Sequence, residues 1–313
     1  MSSAVNIVVY FTEKGEKAYP FDNPGYLTSY LDFFDASLRR RADLNFYVAR
    51  GNSYLGNGFF QGGEKYDVKK RGFKSVKNKL FADIIYNKGD LLLSSNEKGN
   101  IVNAPQLDRL CKDKMLAALF FPEYSPSTIE VASKEELLRA VFRMSSRKVV
   151  IKPVRGQEGE GVRILLKSEV KKLELAFKEP FIVQEFLDTS AGIKGITTGT
   201  HDLRVSVMNG EIVETFVRMP KKGGLVANLA RGGSLKELNV KDLPAEIVKI
   251  VKIVDKRFEM YFPRIYSVDF GWTQGGPKII ELNSQPGLPS PGEKVYRHWH
   301  EKLLETLLSS LRK

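Results

Sequence analysis

The sequence predicts an α/β protein made of more than one lobe, and three observations carry that reading. Over residues 1–105 apolar strands alternate with helical stretches, the pattern of an open sheet flanked by helices. The chain has 313 residues, which exceeds one average domain and implies two or three lobes. Between Ser267 and Leu288 it reads SVDFGWTQGGPKIIELNSQPGL, two apolar strands around a Gly-rich turn, as in an antiparallel hairpin.

The elements follow in order. NIVVYF (from Asn6) is a first buried strand, LTSYLDFFDASLRRR (from Leu27) an amphipathic helix and LNFYVAR (from Leu44) a second strand. FADIIYNKG (from Phe81) and LLLSSN (from Leu91) complete an open α/β lobe. Between them, Asn52 to Gly63 is rich in Gly, Asn and aromatics and suits a loop or hairpin. Pro105 opens one helix, QLDRLCKDKMLAALF, that stops before Pro122. TIEVAS is a strand, and KEELLRAVFRM a helix capped by Ser133 with Glu136 three residues on. VVIKPV and VRILLK flank a glycine-rich turn, FIVQEFL is a short strand, and DLRVSVMNG and EIVETFVRMP are two more. A helix from about Ala245 to Met260, the two C-terminal strands and an amphipathic helix from about Lys294 close the chain.

Apolar (42%) and charged (27%) contents are those of a soluble globular protein, and no apolar run is long enough to span a bilayer. The N-terminus lacks the basic-then-apolar order of a signal peptide, so a cytoplasmic location is expected. A single cysteine, Cys111, excludes an internal disulfide and reads as a packing residue in a helical run. The net charge of +12 is densest in EKYDVKKRGFKSVKNK, with Lys65, Lys69, Lys70, Arg71, Lys74, Lys77 and Lys79. That stretch reads first as a solvated surface segment, with docking of an acidic partner the competing reading. Neither zinc-finger spacing nor an aromatic RNP-type motif accompanies it, which disfavours nucleic acid.

Asp269 ends a strand, while Glu281 and Asn283, two apart on the next, share a face. An oxygen-only set of this kind suits a hard cation such as Mg²⁺. In the turn Arg155–Gly161, the glycines Gly156, Gly159 and Gly161 free backbone N–H groups to approach phosphate. Lys152, on the preceding strand, adds a point charge facing the same space. The pattern GxxxxGK[ST] is absent, and the loop leads into a strand, so neither a P-loop nor a dinucleotide fingerprint is present. The strand FIVQEFL could bond an adenine edge through its backbone, with Glu185 or Asp188 reaching a ribose. His298 and His300 flank Trp299 on a helix and do not share a face, so that segment reads as a helix packed by Trp299. Gly287, between Pro286 and Pro289, reads as part of a rigid turn closing the site.

The order Lys114, Lys152, Gly-rich loop, QEFL, DLR, ANLARGG and D…ExN resembles the ATP-grasp superfamily over roughly Asn103 to Pro291. Within it the chain looks most like RimK-like and glutathione-synthetase-like carboxylate–amine ligases, and the segment from Asn228 to Gly233 is similar to their NLxRGG motif. The resemblance implies an ATP-grasp fold: an N-terminal open α/β domain over 1–105, a central lid subdomain over 106–187 and a C-terminal antiparallel-sheet subdomain over 188–313. It implies ATP, with Mg²⁺ (or Mn²⁺) on Asp269, Glu281 and Asn283. Lys114, Lys152, Gly156, Gly159, Gly161 and Asn228 would meet the nucleotide, with Gln184, Glu185, Phe186, Leu187 and Asp188 at its base and sugar. Arg204, Arg218 and Arg231 would grip the carboxylate and acyl phosphate, and Asp202 would orient Arg204.

The activity so implied is amide or peptide bond formation through an acyl phosphate, on a small-molecule or peptide substrate, with the positive charge leaning towards an acidic one. A small-molecule kinase on the same scaffold is the alternative, and a non-catalytic ATP-binding protein a third reading. TSAGIKGITTGTH lengthens the gap between Leu187 and Asp202 relative to the RimK-like ligases and borders the expected substrate cleft. A homo-oligomer is compatible with the resemblance, although no interface is legible.

Overall fold

A computed structural model of the chain describes residues 4–15, 18–91, 93, 96–156, 161–221, 223–224 and 232–312. The N-terminal sheet has the order β6-β5-β2-β1-β8-β9. Its members are β1 (Val5–Phe11), β2 (Leu44–Arg50), β5 (Gly63–Asp67), β6 (Gly72–Val76), β8 (Ile84–Asn87) and β9 (Ile101–Val102). β2, β1, β8 and β9 run parallel, and β5 and β6 add an antiparallel hairpin. Helix α1 (Pro24–Arg40) starts where the Asn23 side chain accepts from Gly25 N, with Pro24 at the first turn and Arg39 and Arg40 in the last. It buries Tyr30, Phe33 and Phe34 against the sheet. The opposite face packs Val8, Tyr10 and Ile85 against Phe60 and Leu80 of a small sheet, β3 (Tyr54–Gly56), β4 (Phe59–Phe60) and β7 (Leu80–Phe81).

One expectation changes here. Leu91 and Leu93 lie in no strand and the rest of LLLSSN is partly outside the described residues; β9 supplies the strand that pairs beyond β8. The basic stretch is a solvated surface segment, with Lys69, Lys70, Arg71, Lys74, Lys77 and Lys79 all exposed, and it takes regular form as the β5–β6 hairpin, whose edge-strand lysine deters strand-to-strand aggregation. Arg71 is not free in that hairpin; it pairs with Asp32 and Asp35 of α1.

The expected helix over 106–120 is two helices, α2 (Pro105–Lys112) and α3 (Lys114–Phe120). Asp113 breaks it: the residue sits in extended backbone (φ −99, ψ 104) and its carboxylate accepts from Met115 N and Leu116 N, capping α3. A central sheet follows, ordered β10-β13-β11-β12 and antiparallel throughout, from β10 (Thr128–Val131), β11 (Lys148–Pro153), β12 (Arg163–Leu166) and β13 (Phe181–Glu185). Helix α4 (Lys134–Arg143) covers it; Ser133 caps its start, and Glu136 reaches back to Ala132 N.

The C-terminal sheet is ordered β16-β15-β14-β17-β18 and antiparallel. It comprises β14 (Asp202–Met208), β15 (Glu211–Met219), β16 (Ser234–Glu237), β17 (Ile265–Thr273) and β18 (Gly276–Asn283). Asn209 and Gly210, both at positive φ, make the tight turn between β14 and β15. One face of the sheet packs on α5 (Ala245–Phe258) through Val205, Val207, Val268 and Phe270 against Ile247, Val251, Val254 and Phe258. The last helix, α6 (Tyr296–Ser309), returns to the N-terminal sheet, where Trp299, Leu303 and Leu307 join the core of Phe33, Phe34 and Ile7. No helix among the described residues is long and apolar enough to cross a membrane.

Candidate functional site

The face of the C-terminal sheet turned away from α5 carries polar side chains in cross-strand rows, because alternate residues of every strand point that way. In one row Phe216, Arg204, Asp269 and Glu281 stand side by side on β15, β14, β17 and β18. In the next, Glu214, Ser206, Ser267 and Asn283 do the same. Beside the first row Arg218 lies directly opposite Asp202.

Register decides who pairs with whom. Arg204 grips Asp269 in a two-pronged pair, Nε to Oδ1 at 2.6 Å and Nη2 to Oδ2 at 2.7 Å. Arg218 grips Asp202 in the same way, at 2.6 and 3.0 Å, and its Nη2 also reaches Asp269 Oδ2 at 2.6 Å. Asp202 therefore orients Arg218, not Arg204 as the sequence reading expects: the strand partner of Arg204 is Asp269. Both guanidinium groups lie about 6 Å from the Phe216 ring, at 6.0 and 5.9 Å from its centroid. Nη1 of each arginine makes no bond among the described residues.

Asp269 is 4% exposed. Burial opposes its charge, but Arg204 and Arg218 outweigh burial and hold the carboxyl well below the usual carboxylate range. Asp202 moves the other way, because burial and the Asp269 charge together raise it against the pull of Arg218. Glu214 is raised by burial to about 7, its Oε2 accepting from Ser206 Oγ at 2.7 Å.

Facing this sheet across a cleft of about 1020 Å³ is the central sheet with the start of α3. Lys152 of β11 is 6% exposed, and burial pushes its amine down to about 8, Glu281 opposing that shift and Lys114 adding to it. Lys114, placed by the break at Asp113, donates to Gly156 O at 2.7 Å and lies 3.8 Å from Glu281. The Lys114 amine thus approaches the Glu281 carboxylate from the far wall, and Lys152 lies within the field of that carboxylate. Gln184, Glu185, Phe186 and Leu187 line the cleft where β13 ends. Gln184 Nε2 donates to Thr128 Oγ1 at 2.8 Å, and Glu185 accepts from Ser145 N at 3.0 Å. Asp188 does not line the cleft; it accepts from Ser190 N at 3.0 Å and caps a local turn. Gly156 and Asn283 line the cleft, and Gly161 (φ +70) packs on Pro153. Gly159, Asn228 and Arg231 lie outside the described residues.

The fit of a hard cation can be judged from the donor set. Oδ1 of Asp269 accepts one bond, Glu281 has only a distant amine, and Asn283 Oδ1 accepts from Gln285 N at 2.8 Å. Each oxygen retains a lone pair, so the residues fit Mg²⁺ chemically.

Sequence reasoning missed the residues at the other end of the cleft. Lys88, Asp90, Arg109 and Lys112 line it with Tyr19, Tyr26 and Gln285. Lys88 Nζ donates to Gln285 O at 2.9 Å and Pro286 O at 2.6 Å, and burial pushes its amine down to about 7. Their signal was weak, since each is an isolated polar residue after a strand or on a helix. Ser206 was legible as alternation in DLRVSVM, whereas EIVETFV does not alternate around Glu214. The segment 189–201 borders the cleft through Thr189 and His201, and its Ile193 is buried in the core of the C-terminal sheet. Gly287 tolerates no side chain, because a Cβ there would sit 2.7 Å from the Tyr26 hydroxyl.

Residues 113–265 match the family profile described as prokaryotic glutathione synthetase, ATP-grasp domain. A protein of Psychromonas ingrahamii described as a probable alpha-L-glutamate ligase is 30% identical over 165 residues, 50% of this chain and 49% of that one. The chain thus spans about half the length of the curated relatives it matches. Among solved structures, the D-Ala:D-Ser ligase of Enterococcus faecalis superposes with a TM-score of 0.67 at 16% identity, over 99% of this chain and 100% of that one. The D-alanyl-alanine synthetase A of Vibrio cholerae gives 0.65 at 12% identity, over 100% of both. At such identities the superpositions speak for the fold alone.

Proposed function

We propose, from the match of residues 113–265 to the ATP-grasp domain profile, that the chain is an ATP-dependent carboxylate–amine ligase that works through an acyl phosphate. The observation that supports this most is the arrangement across one cleft. Lys114 and Lys152 stand on one wall, and Arg204, Arg218, Asp269 and Glu281 on the other. Phosphoryl transfer asks mainly for positioning and charge stabilisation, which such walls supply.

In this reading the β13 end holds the base and sugar of ATP, while Lys114 and Lys152 neutralise its phosphates. Asp269, Glu281 and Asn283 would hold Mg²⁺, which supplies charge neutralisation at the phosphate oxygens. Arg204 and Arg218 are fixed by their two-pronged pairs, so their free Nη1 groups can bind the substrate carboxylate without rearrangement. A carboxylate oxygen attacks the γ-phosphorus, the bond from that phosphorus to the β–γ bridging oxygen breaks, and ADP leaves. The deprotonated amine then attacks the acyl carbon, the carbon–oxygen bond to phosphate breaks, and inorganic phosphate departs with the amide formed. The relatives described as probable alpha-L-glutamate ligases support glutamate as a substrate.

The acyl-phosphate route moves one carboxylate oxygen into the released phosphate. With ¹⁸O-labelled carboxylates of pooled amino acids, ATP and Mg²⁺, the phosphate should carry the label. Unlabelled phosphate alongside amide product would rule the route out.

A further inference from the structure

We propose that the end of the cleft remote from β13 is a second anion subsite, in which Arg109 and Lys112 bind a carboxylate that the substrate keeps through the reaction. This proposal rests on the ligase reading and adds a substrate class, an amino acid or peptide with a second carboxylate.

The location comes from topology. The parallel strands β1 and β8 are neighbours, and the chain reaches β2 on one side of β1 and β8 on the other. Ligands of parallel sheets bind outside the carboxyl ends of the strands at such a reversal. The segment leaving β8, Lys88–Asp90, lies there and lines the same cleft as the catalytic sheet.

That segment is held firmly. Asp90 N donates to Thr12 Oγ1 at 2.7 Å, and Gln285 Nε2 donates to Gly89 O at 2.9 Å. Lys88 ties it to the turn after β18 through Gln285 O and Pro286 O. Gly89 is required by close approach, since a Cβ would lie 2.6 Å from Thr12 N. The rest of the end wall is aromatic, with Tyr19 and Tyr26 edge to face at 6.2 Å between centroids.

The charge on this frame is unbalanced. Arg109 and Lys112 are three apart on α2 and project from one side of the helix, opposite the buried Leu107 and Leu110. Arg109 has no carboxylate partner among the described residues. Lys112 pairs with Asp90 at 2.5 Å, donates to Gly89 O at 3.4 Å and lies in the field of the buried Asp108 carboxylate, and the Asp90 side chain is itself 70% exposed. An incoming carboxylate meets a free guanidinium fork and an ammonium, without displacing a buried ion pair. Asp90 stays beside them to receive an ammonium group of the same ligand.

The test uses the full-length protein saturated with the non-hydrolysable analogue AMPPNP and Mg²⁺, and isothermal titration with L-glutamate or with L-glutamine, its neutral isostere. Glutamate should bind at least tenfold tighter than glutamine. Arg109→Ala and the double variant with Lys112→Ala should erase that preference, with melting point and AMPPNP affinity recorded on the same samples to exclude unfolding. Equal binding of the two amino acids, no binding of either, or an unchanged preference in the double variant would overturn the subsite. A separate assay of amide product keeps the two readings apart. Glutamate bound selectively but never incorporated would sink the ligase and leave the subsite, whereas amide formed without acidic preference would do the reverse.

Discussion

Lys152 is the residue whose charge state most directly governs the proposed phosphate site. Burial brings its amine to about 8, so the cation that would meet phosphate is present below that pH and is lost above it. ATP affinity is expected to fall by about tenfold per pH unit above 8 in the wild type, and to become far flatter in Lys152→Arg, whose guanidinium does not titrate there. Fluorescence titration with a labelled nucleotide over pH 7 to 10 checks this. Asp269 sits at the opposite extreme. Replacing it by Asn removes the counter-charge of two buried arginines and is expected to cost about 3–5 kcal/mol in urea unfolding. Its depressed pKa means the native carboxylate contributes stability at neutral pH that is lost only as pH falls through its low folded value. Glu214 works in the reverse sense: its folded pKa of about 7 makes its contribution complete below the ordinary Glu value and lost as pH rises through 7. Glu214→Gln should therefore gain stability over the wild type between pH 5 and 8, read as diverging melting curves.

At the scale of elements, the break between α2 and α3 places Lys114. Asp113→Ala removes the carboxylate that accepts from Met115 N and Leu116 N, at a cost of about 1 kcal/mol. It should raise the KM for ATP more than that loss of stability alone would, because Lys114 begins the capped helix. The break was not read from the sequence because CKDKMLAALF holds no Pro or Gly to stop a helix, and Asp113, a preferred N-cap residue, was its one signal. The β17–β18 hairpin was legible, and a period of two puts Glu281 and Asn283 on one face of β18 whatever the register. Pairing across strands depends on register, which a single sequence does not specify, and so the partner of Asp202 was misread. The same limit hid Lys88 and Arg109, which come to the cleft from separate elements.

For the whole molecule, the first and last elements form one core. Trp299, fully buried, packs with Phe33 and Phe34 of α1 and Ile7 of β1. Trp299→Ala is expected to destabilise the fold by about 3–5 kcal/mol, and the loss should register in the N-terminal sheet as faster amide exchange in β1 and β2. The alternation of strands and helices announced this α/β lobe, but the return of α6 to it is a long-range contact with no local signature. The cleft lies between that lobe and the two sheets beyond it, so the proposed nucleotide and substrate sites share one cavity while resting on different cores. The central claim is that such a cavity joins a carboxylate to an amine. Its most direct measurement is mass analysis of nucleotide and products together, after incubation with Mg²⁺, ATP, pooled amino acids and acidic peptides. The account predicts ADP in step with an amide-linked product carrying no phosphate, and neither in Glu281→Ala. ADP in step with a phosphorylated alcohol, or AMP in place of ADP, would contradict it.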